Sequence, residues 1–106
     1  MIAQLVNYNL KDFPRDEYQR ACTEDLAAPI AAQHGLISKT WIANHETNTY
    51  GGFYVWESQA DIEAFAKSDL FIAFSSDPRV QNITSTVFEI LEEASRTTNG
   101  IGVVAV

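Results

Sequence analysis

Cysteine and long hydrophobic runs are almost missing from this chain of 106 residues. Its single cysteine, Cys22, excludes an internal disulfide and provides no zinc-ligand spacing. No stretch approaches the roughly 20 apolar residues that a membrane-spanning helix needs. Residues 1–6 also lack the basic and long apolar regions of a secretion signal. The sequence therefore predicts a cytoplasmic protein without structural zinc.

Basic side chains are also few, with 7 Lys and Arg against 14 Asp and Glu and a net charge of −7. Such a charge repels phosphate backbones and anionic lipid surfaces, and the basic residues form no stripe that a nucleic acid could follow. We therefore expect neither nucleic acid nor a membrane as a partner. Hydrophobic residues make up 46% of the chain, and this length supports one core, so we treat residues 1–106 as a single domain.

Two periodic segments precede the first glycine, Gly35. Residues 2–9 alternate with a period of two, which predicts a strand with apolar side chains on both faces. Residues 14–33 carry apolar positions at helical spacing, which predicts a helix. Pro29 removes a backbone donor, so we expect the helix to kink or split in its last turns.

Residues 35–57 predict a β-hairpin. Strands are expected near Leu36–Glu46 and Tyr50–Glu57, because β-branched and aromatic residues alternate there with small polar ones. The middle, Asn44–Gly52, is rich in turn-forming residues. We assign the pair Gly51-Gly52 to the turn or to a bulge, where it would also let a ligand approach the backbone closely.

Helical patterns follow the hairpin. Ser58 is expected to be an N-cap, with Asp61 at the capping-box position. Residues 67–69 interrupt the pattern, and residues 70–74 form a further short helical segment.

The end of the chain predicts more sheet. The Val-, Ile- and Thr-rich stretch 80–91 is the longest strand pattern. Residues 92–100 form a polar break. The apolar tail 101–106 is expected to add a strand to its own sheet or across a dimer.

This order of elements predicts an α+β fold, a ferredoxin-like split βαβ arrangement with the helices on one face of an antiparallel sheet. The strands nevertheless carry apolar residues on both faces, as in the adjacent pairs Leu5-Val6, Phe53-Tyr54 and Val87-Phe88. An uncovered apolar sheet is not expected on a monomer. We therefore expect a homodimer in which two sheets stack face to face.

The hairpin also resembles a known family. The run GLISKTW…GGFYVW is similar to the signature of the YdhR-like monooxygenases, which are related to the antibiotic-biosynthesis monooxygenases. Looser similarity continues through Phe65 to residue 93. The resemblance implies a dimeric α+β barrel and a monooxygenase activity. The matching positions are Gly35, Lys39, Trp41, Glu46, Gly51, Gly52, Tyr54 and Trp56.

Lys39 is the first candidate catalytic residue. It lies two residues before Trp41 on a strand, so both side chains emerge on one face. In a cavity, the Lys39 ammonium could hold an enolate, a phenolate or a developing oxyanion. The alternative is an edge lysine whose stem covers Trp41 and whose head reaches water or Glu57.

Aromatic residues and a histidine complete the candidate site. Trp41, Tyr54 and Trp56 could form a flat wall for an aromatic substrate, with the Tyr54 hydroxyl as a polar anchor, or could serve only as core or interface packing. Their relative facing depends on the hairpin register. His45, near the turn, is a candidate for proton removal from a phenol, and a solvated loop histidine is the alternative.

The chain contains no glycine-rich phosphate loop in a strand-to-helix setting and no iron-ligand spacing. Our first hypothesis is a cofactor-independent monooxygenase that oxidises a small aromatic or quinol-like compound without metal or flavin. Lys39 would stabilise the substrate anion, His45 or Tyr54 would handle the proton, and Trp41 and Trp56 would shape the pocket. Two alternatives stay open: a non-catalytic small-molecule binding or stress-response module of this fold, and an isomerase or decarboxylase.

Overall fold

A four-stranded antiparallel sheet organises the protein, whose residues 1–100 are described by a computed structural model. The spatial order of the strands is β2-β3-β1-β4. Because β1 lies in the centre and the helices lie in the two crossovers, this topology confirms the predicted α+β fold of the ferredoxin-like type. The strands are β1 (Ile2–Leu10), β2 (Leu36–Asn44), β3 (Thr49–Trp56) and β4 (Val80–Glu89).

Helical segments connect β1 to β2 and β3 to β4. The first crossover contains α1 (Arg15–Arg20), a π-helix (Ala21–Leu26) and α2 (Ala27–Ala31). The second contains α3 (Gln59–Ala66) and α4 (Asp69–Ser75). Within residues 1–100, no helix is long and apolar enough to cross a membrane.

The first crossover is helical where predicted, but its irregularity lies upstream of the expected position. Pro29 lies inside α2, whereas the wide π-helical turn comes before it. At the end of that turn, the backbone N–H of Ala27 donates to the carbonyl of Cys22, five residues back. In a continuous α-helix, a proline at position 29 would crowd the carbonyl of Asp25. Asp25 belongs to the π-helix, whose turns are wider than those of an α-helix. The backbone has therefore already widened where Pro29 would otherwise crowd it.

The hairpin reverses at residues 45–48, and Gly51 and Gly52 lie inside β3 in regular pairing with both neighbouring strands, which corrects their assignment to the turn or to a bulge. The turn is supported by asparagines instead. The side-chain oxygen of Asn44 accepts two backbone N–H groups of the turn at 3.1 and 3.2 Å. Asn48 adopts a φ of 53°. Asparagine tolerates this left-handed conformation better than most residues, so the turn needs no glycine.

Ser58 begins α3 as predicted. Its hydroxyl accepts the backbone N–H of Asp61 at 3.3 Å and donates to the carboxylate of Asp61 at 2.8 Å. The exposed ring of His34 contacts the other oxygen of that carboxylate at 2.7 Å. Ser68 caps α4 by accepting the N–H of Phe71, which separates the two helices at the predicted interruption.

The last part of the chain differs from its sequence-based prediction. A short helix, α5 (Glu92–Thr97), occupies the segment that was predicted to be a polar break. Strand β4 ends at Glu89 rather than at residue 91. The strand predicted for residues 101–106 lies outside the described residues.

The core lies between the sheet and the helices. Trp56 has no exposed surface, and its indole N–H donates to the side-chain oxygen of Gln4 at 3.0 Å. The amide of Gln4 donates in turn to the hydroxyl of Ser85 at 2.9 Å, so the buried carboxamide is satisfied. The buried residues of the cluster are Val6, Tyr8, Tyr18, Ile30, Tyr50, Tyr54, Trp56, Ile62, Phe65 and Val80.

The opposite face of the sheet is apolar and only partly covered. Side chains alternate along β3, so Phe53 and Val55 point away from the helices that cover Tyr54. Ala3, which pairs with both Val55 and Phe88, is 4% exposed. Phe53 and Phe88 are 41% and 49% exposed. Apolar side chains therefore occupy both faces, as the sequence predicted.

Candidate functional site

A small cavity lies between the helices and the middle of the sheet. Its floor consists of Val6, Tyr8 and Tyr54, and its side toward the sheet edge consists of Lys39 and Trp41. It contains about 20 Å³ of free space. This is room for roughly one water molecule. The helical wall is wholly apolar and comprises Leu26, Ile30, Phe65, Leu70, Phe71 and Phe74.

Lys39 is the charged residue of this cavity. Its Nζ lies 3.2 Å from the ring centroid of Trp41 and 4.6 Å from that of Tyr54. Contact with the faces of electron-rich rings favours the ammonium form. Within residues 1–100, no carboxylate forms an ion pair with Lys39. The ammonium is therefore held by aromatic faces and not by a counter-ion.

The strand register explains why these side chains meet. Lys39 pairs with Tyr54, and Trp41 pairs with Gly52, so their side chains share the helix-facing side of the sheet. Gly52 leaves the space that Lys39 occupies, because a Cβ at that position would lie 2.5 Å from Lys39 Cε. The lysine side chain thus lies across Gly52, with its amine between the two rings.

Burial sets the protonation of the polar groups in the cavity. It lowers the pKa of Lys39 from 10.5 to about 7, and the neighbouring Cys22 has a smaller, opposite effect. Lys39 therefore exchanges a proton near neutral pH. Burial raises the pKa of the Tyr54 hydroxyl above its usual value, so this hydroxyl keeps its proton. The cavity combines an amine that can gain or lose a proton with a phenol that stays protonated and can donate a hydrogen bond.

A second phenol, Tyr8, lines the cavity. Tyr8 and Tyr18 are joined by a hydrogen bond between their hydroxyl oxygens. Burial raises the pKa of Tyr8 to about 12 and raises the pKa of Tyr18 further. Sequence reasoning did not select Tyr8 as a site residue. The alternation of β1 could have found it, because Tyr8 shares a face with the buried Val6.

Three of the five predicted site residues come together: Lys39, Trp41 and Tyr54. Trp56 and His45 do not line the cavity. Trp56 lies two residues after Tyr54 on β3, on the same face of the sheet, and packs against Phe65. Its ring stacks on that of Tyr54, with centroids 5.8 Å apart and ring planes at 11°. Trp56 therefore packs against a residue that lines the cavity, Tyr54, without lining the cavity itself.

His45 is exposed in the hairpin turn. Its Nδ1 lies 2.9 Å from the hydroxyl of Tyr50. His45 follows the last residue of β2, Asn44, so its ring reaches Tyr50 at the end of the sheet and does not line the cavity.

A second, more open cleft lies at the edge of the sheet. It contains about 550 Å³ of space between the edge strand β2 and the π-helix, and Tyr18, Cys22 and Trp41 are among its lining residues. The indole of Trp41 borders both this cleft and the inner cavity. Trp41 is therefore the side chain that separates them.

The cavity is better suited to an organic ligand than to a metal. Its polar groups are one amine and two phenol hydroxyls, whereas metal ions prefer imidazole, thiolate or carboxylate ligands. Elsewhere in residues 1–100, no three His, Cys, Asp or Glu side chains are grouped as metal ligands would be.

Solved structures share this fold at low identity. Rv0793 from Mycobacterium tuberculosis is 18% identical with a TM-score of 0.70, over 89% of this chain and 98% of that chain. SnoaB, described as a cofactor-independent oxygenase from Streptomyces nogalater, is 15% identical in a mutant form with a TM-score of 0.67, over 86% and 93%. An antibiotic biosynthesis monooxygenase is 9% identical with a TM-score of 0.69, over 86% and 99%. These likenesses support the fold.

The sequence itself matches one family model. The family is described as "Putative mono-oxygenase ydhR", and the match covers residues 5–101. No curated protein matches the chain. The match spans nearly all of the chain and includes Lys39, Trp41 and Tyr54.

Proposed function

The chain belongs to the ydhR family of mono-oxygenases, and on this premise we propose that it is a cofactor-independent monooxygenase of a small aromatic or quinol-like compound. The observation that carries the proposal is the position of Lys39. Its amine lies between the rings of Trp41 and Tyr54 in an otherwise apolar cavity, without a carboxylate partner in residues 1–100.

Substrate binding begins with a change at Trp41. The inner cavity holds about 20 Å³, which is too small for an aromatic ring. Movement of the indole toward the outer cleft joins the two spaces and frees the face of Tyr54. A flat substrate then takes the place of the indole beside the Lys39 amine.

Proton transfer is assigned to Lys39. With a pKa near 7, the neutral amine accepts a proton from a phenol or an activated C–H group of the substrate. The resulting ammonium then faces the anion that it has generated. Tyr54 keeps its proton and donates a hydrogen bond to the anionic oxygen. The proposal gives His45 no role, because its ring lies in the hairpin turn and is hydrogen-bonded to the hydroxyl of Tyr50.

Oxygen reacts with the substrate anion, which supplies the electrons. For a substrate with an activated CH₂ group, R₂CH₂ + O₂ gives R₂C=O + H₂O, so neither flavin nor metal is consumed. The apolar helical wall excludes bulk water from the anion. Trp56 contributes by holding the ring of Tyr54 in place.

We include a homodimer in the proposal. Phe53 and Phe88 are exposed on the sheet face that the helices leave open, and Ala3 and Val55 between them are apolar. A second copy stacked on this face would bury these side chains. This arrangement corresponds to the dimeric α+β barrel that the sequence resemblance implies.

Oxygen uptake by the purified, chelator-treated protein tests the proposal against a panel of anthrones, quinols and polyphenols. We expect uptake with ¹⁸O₂ to place one labelled atom in the product. Lys39→Met should reduce the rate by about 100-fold or more, whereas the exposed Lys67→Met should leave it unchanged. Saturable tryptophan quenching without oxygen uptake would instead indicate a binding module, and turnover under anaerobic conditions would indicate an isomerase or decarboxylase.

A further inference from the structure

Lys39 has a chemical property that oxygenation does not use, namely the nucleophilicity of its neutral amine. We infer that Lys39 is a carbonyl-binding residue: its amine condenses with the aldehyde or ketone group of a flat aromatic compound and holds that compound in the cavity as an imine. This reaction needs no oxygen and is independent of the proposed monooxygenation.

The surroundings of Lys39 distinguish it from the other two lysines of the chain. Lys11 and Lys67 are exposed, so water stabilises their ammonium groups. Lys39 is partly buried among apolar side chains, and within residues 1–100 no carboxylate forms an ion pair with it. A lysine desolvated in this way is the kind that forms imines with carbonyl substrates.

In the described part of the chain, no charged group neighbours the Lys39 amine. Within residues 1–100, the titratable groups around Lys39 are the hydroxyls of Tyr8 and Tyr54, on β1 and β3, which line its cavity, and the thiol of Cys22, on the π-helix, which lines the outer cleft. Burial raises the pKa of each, so all three are neutral near pH 7. Helices α2, α3 and α4 contribute only apolar side chains to the wall. The amine therefore becomes available near pH 7, where the pKa of Lys39 lies.

The reaction is balanced by the carbonyl compound and the lysine alone. The lone pair of Nζ attacks the carbonyl carbon, the C=O electron pair moves to oxygen, and one proton passes from the nitrogen to that oxygen to give a carbinolamine. The carbinolamine then loses its hydroxyl and its remaining N–H proton together as one water molecule, and the N–H electron pair forms the C=N bond. The ring of Tyr54 lies 4.6 Å from Nζ and its hydroxyl keeps its proton, so we assign to this hydroxyl the hydrogen bond to the carbonyl oxygen.

The walls define the class of carbonyl compound. The faces of Trp41 and Tyr54 suit a flat ring, and the helical wall is apolar throughout. Among residues 1–100, no acidic side chain lines the cavity, so a cationic compound would find no counter-ion among them. An aromatic aldehyde or ketone reaches Nζ when Trp41 moves toward the outer cleft, whose space of about 550 Å³ accommodates a ring.

Reductive labelling tests this inference. The intact protein is incubated at pH 7.5 with 4-hydroxybenzaldehyde and cyanoborohydride, and the labelled sites are mapped after trypsin digestion. Alkylation of Lys39 blocks cleavage there, so the peptides 21–39 and 40–67 are replaced by a single peptide 21–67. We expect Lys39 to be labelled at least about tenfold faster than Lys11 and Lys67, because their amines are almost entirely protonated at this pH.

Controls separate the site from its chemistry. In Lys39→Arg the blocked peptide should disappear, whereas Lys67→Arg should retain the labelling of Lys39. Labelling in 8 M urea, about the strength that unfolds small domains, should abolish the preference. Labelling of Lys39 no faster than that of Lys11 and Lys67 overturns the inference. So does a preference that occurs with formaldehyde but not with the aromatic aldehyde, because the amine would then be reactive without a binding site for a ring.

Discussion

Gly52 lies directly against the side chain of Lys39. A Cβ at Gly52 would be 2.5 Å from Lys39 Cε and 3.1 Å from the ring of Tyr54. The preceding glycine has a different neighbour, since a Cβ at Gly51 would lie 1.8 Å from the backbone oxygen of Val6. One glycine makes room for a functional side chain, and the other lets two strands approach.

Gly52→Ala should displace the lysine without unfolding the protein. The added methyl group meets the flexible end of Lys39, which can move, so we expect the free energy of unfolding to change by less than about 1.5 kcal/mol. The displaced amine gains contact with water, and the pKa of Lys39 should rise toward 10.5. NMR titration of the lysine Nζ groups, together with urea unfolding, measures both effects. An unchanged pKa would contradict the proposed contact.

Gly51→Ala is the matched control at the neighbouring position. Its methyl group would meet a backbone oxygen of β1 that cannot move aside, and Gly51 has a φ of 156° that other residues rarely adopt. We expect a loss of about 3 kcal/mol or more in the free energy of unfolding. A variant as stable as the parent would contradict the register of β1 and β3.

The stability of the protein should rise with pH on account of Lys39. Its folded pKa of about 7 is below its ordinary value of 10.5, so the unfolded chain binds more protons between these values. The penalty for burying the ammonium is complete below pH 7 and is relieved as the pH rises, by up to about 1.4 kcal/mol per pH unit. Urea unfolding between pH 6.0 and about 8.5 stays below the phenol titrations, and it reaches the midpoint of an exposed thiol, about 8.5, only at its upper end.

Lys39→Met isolates this contribution, because methionine has a similar length and no charge. The difference in stability between the variant and the parent should be largest at pH 6 and should shrink toward pH 8.5. A difference that stays constant across this range would show that Lys39 is ordinarily hydrated in the folded protein.

The two tryptophans should respond differently to substitution. Trp56→Phe removes a ring with no exposed surface and leaves the side-chain oxygen of Gln4 without its donor. We expect a loss of about 2–4 kcal/mol in the free energy of unfolding. Trp41→Phe changes a partly exposed side chain at the sheet edge and should cost less than about 1.5 kcal/mol. Equal costs would contradict the separate roles of the two indoles.

Association through the open sheet face is tested by paired substitutions. Phe53→Lys combined with Phe88→Lys places two charges in the proposed interface, and sedimentation velocity should show a shift from dimer to monomer. Ile72→Lys is the matched control, because Ile72 is 50% exposed but lies on α4. A parent protein that is monomeric at micromolar concentration, or dissociation by the control alone, would contradict the homodimer.

The fold was predictable wherever local patterns determine it. Alternation located the strands, and the serine caps located α3 and α4, because both signals depend on neighbours in sequence. The positions of Gly51 and Gly52 were not predictable in this way. Glycine favours turns locally, but these two are required by Val6 and by Lys39, which are distant in sequence.

The site was predictable only along one strand pair. Alternation placed Lys39 and Trp41 on one face, and the resemblance added Tyr54. Alternation indicates the face of the sheet but not how far the cavity extends along the strands, so it did not show that His45 and Trp56 lie outside the lining. The helical wall depends on how two crossovers pack over the sheet, which no local pattern specifies.

The π-helix determines which side chains of the first crossover point toward Lys39. Leu26 and Ile30 reach the inner cavity, while Cys22 faces the outer cleft, and the wide turn lies among these three positions. An α-helix advances about 100° per residue, so shortening this segment by one residue would rotate Ala27–Ala31 by about that angle. Ile30 would then no longer line the helical wall of the cavity, and water would reach the Lys39 amine. Lys39 would lose its apolar surroundings although its own position in the sequence had not changed.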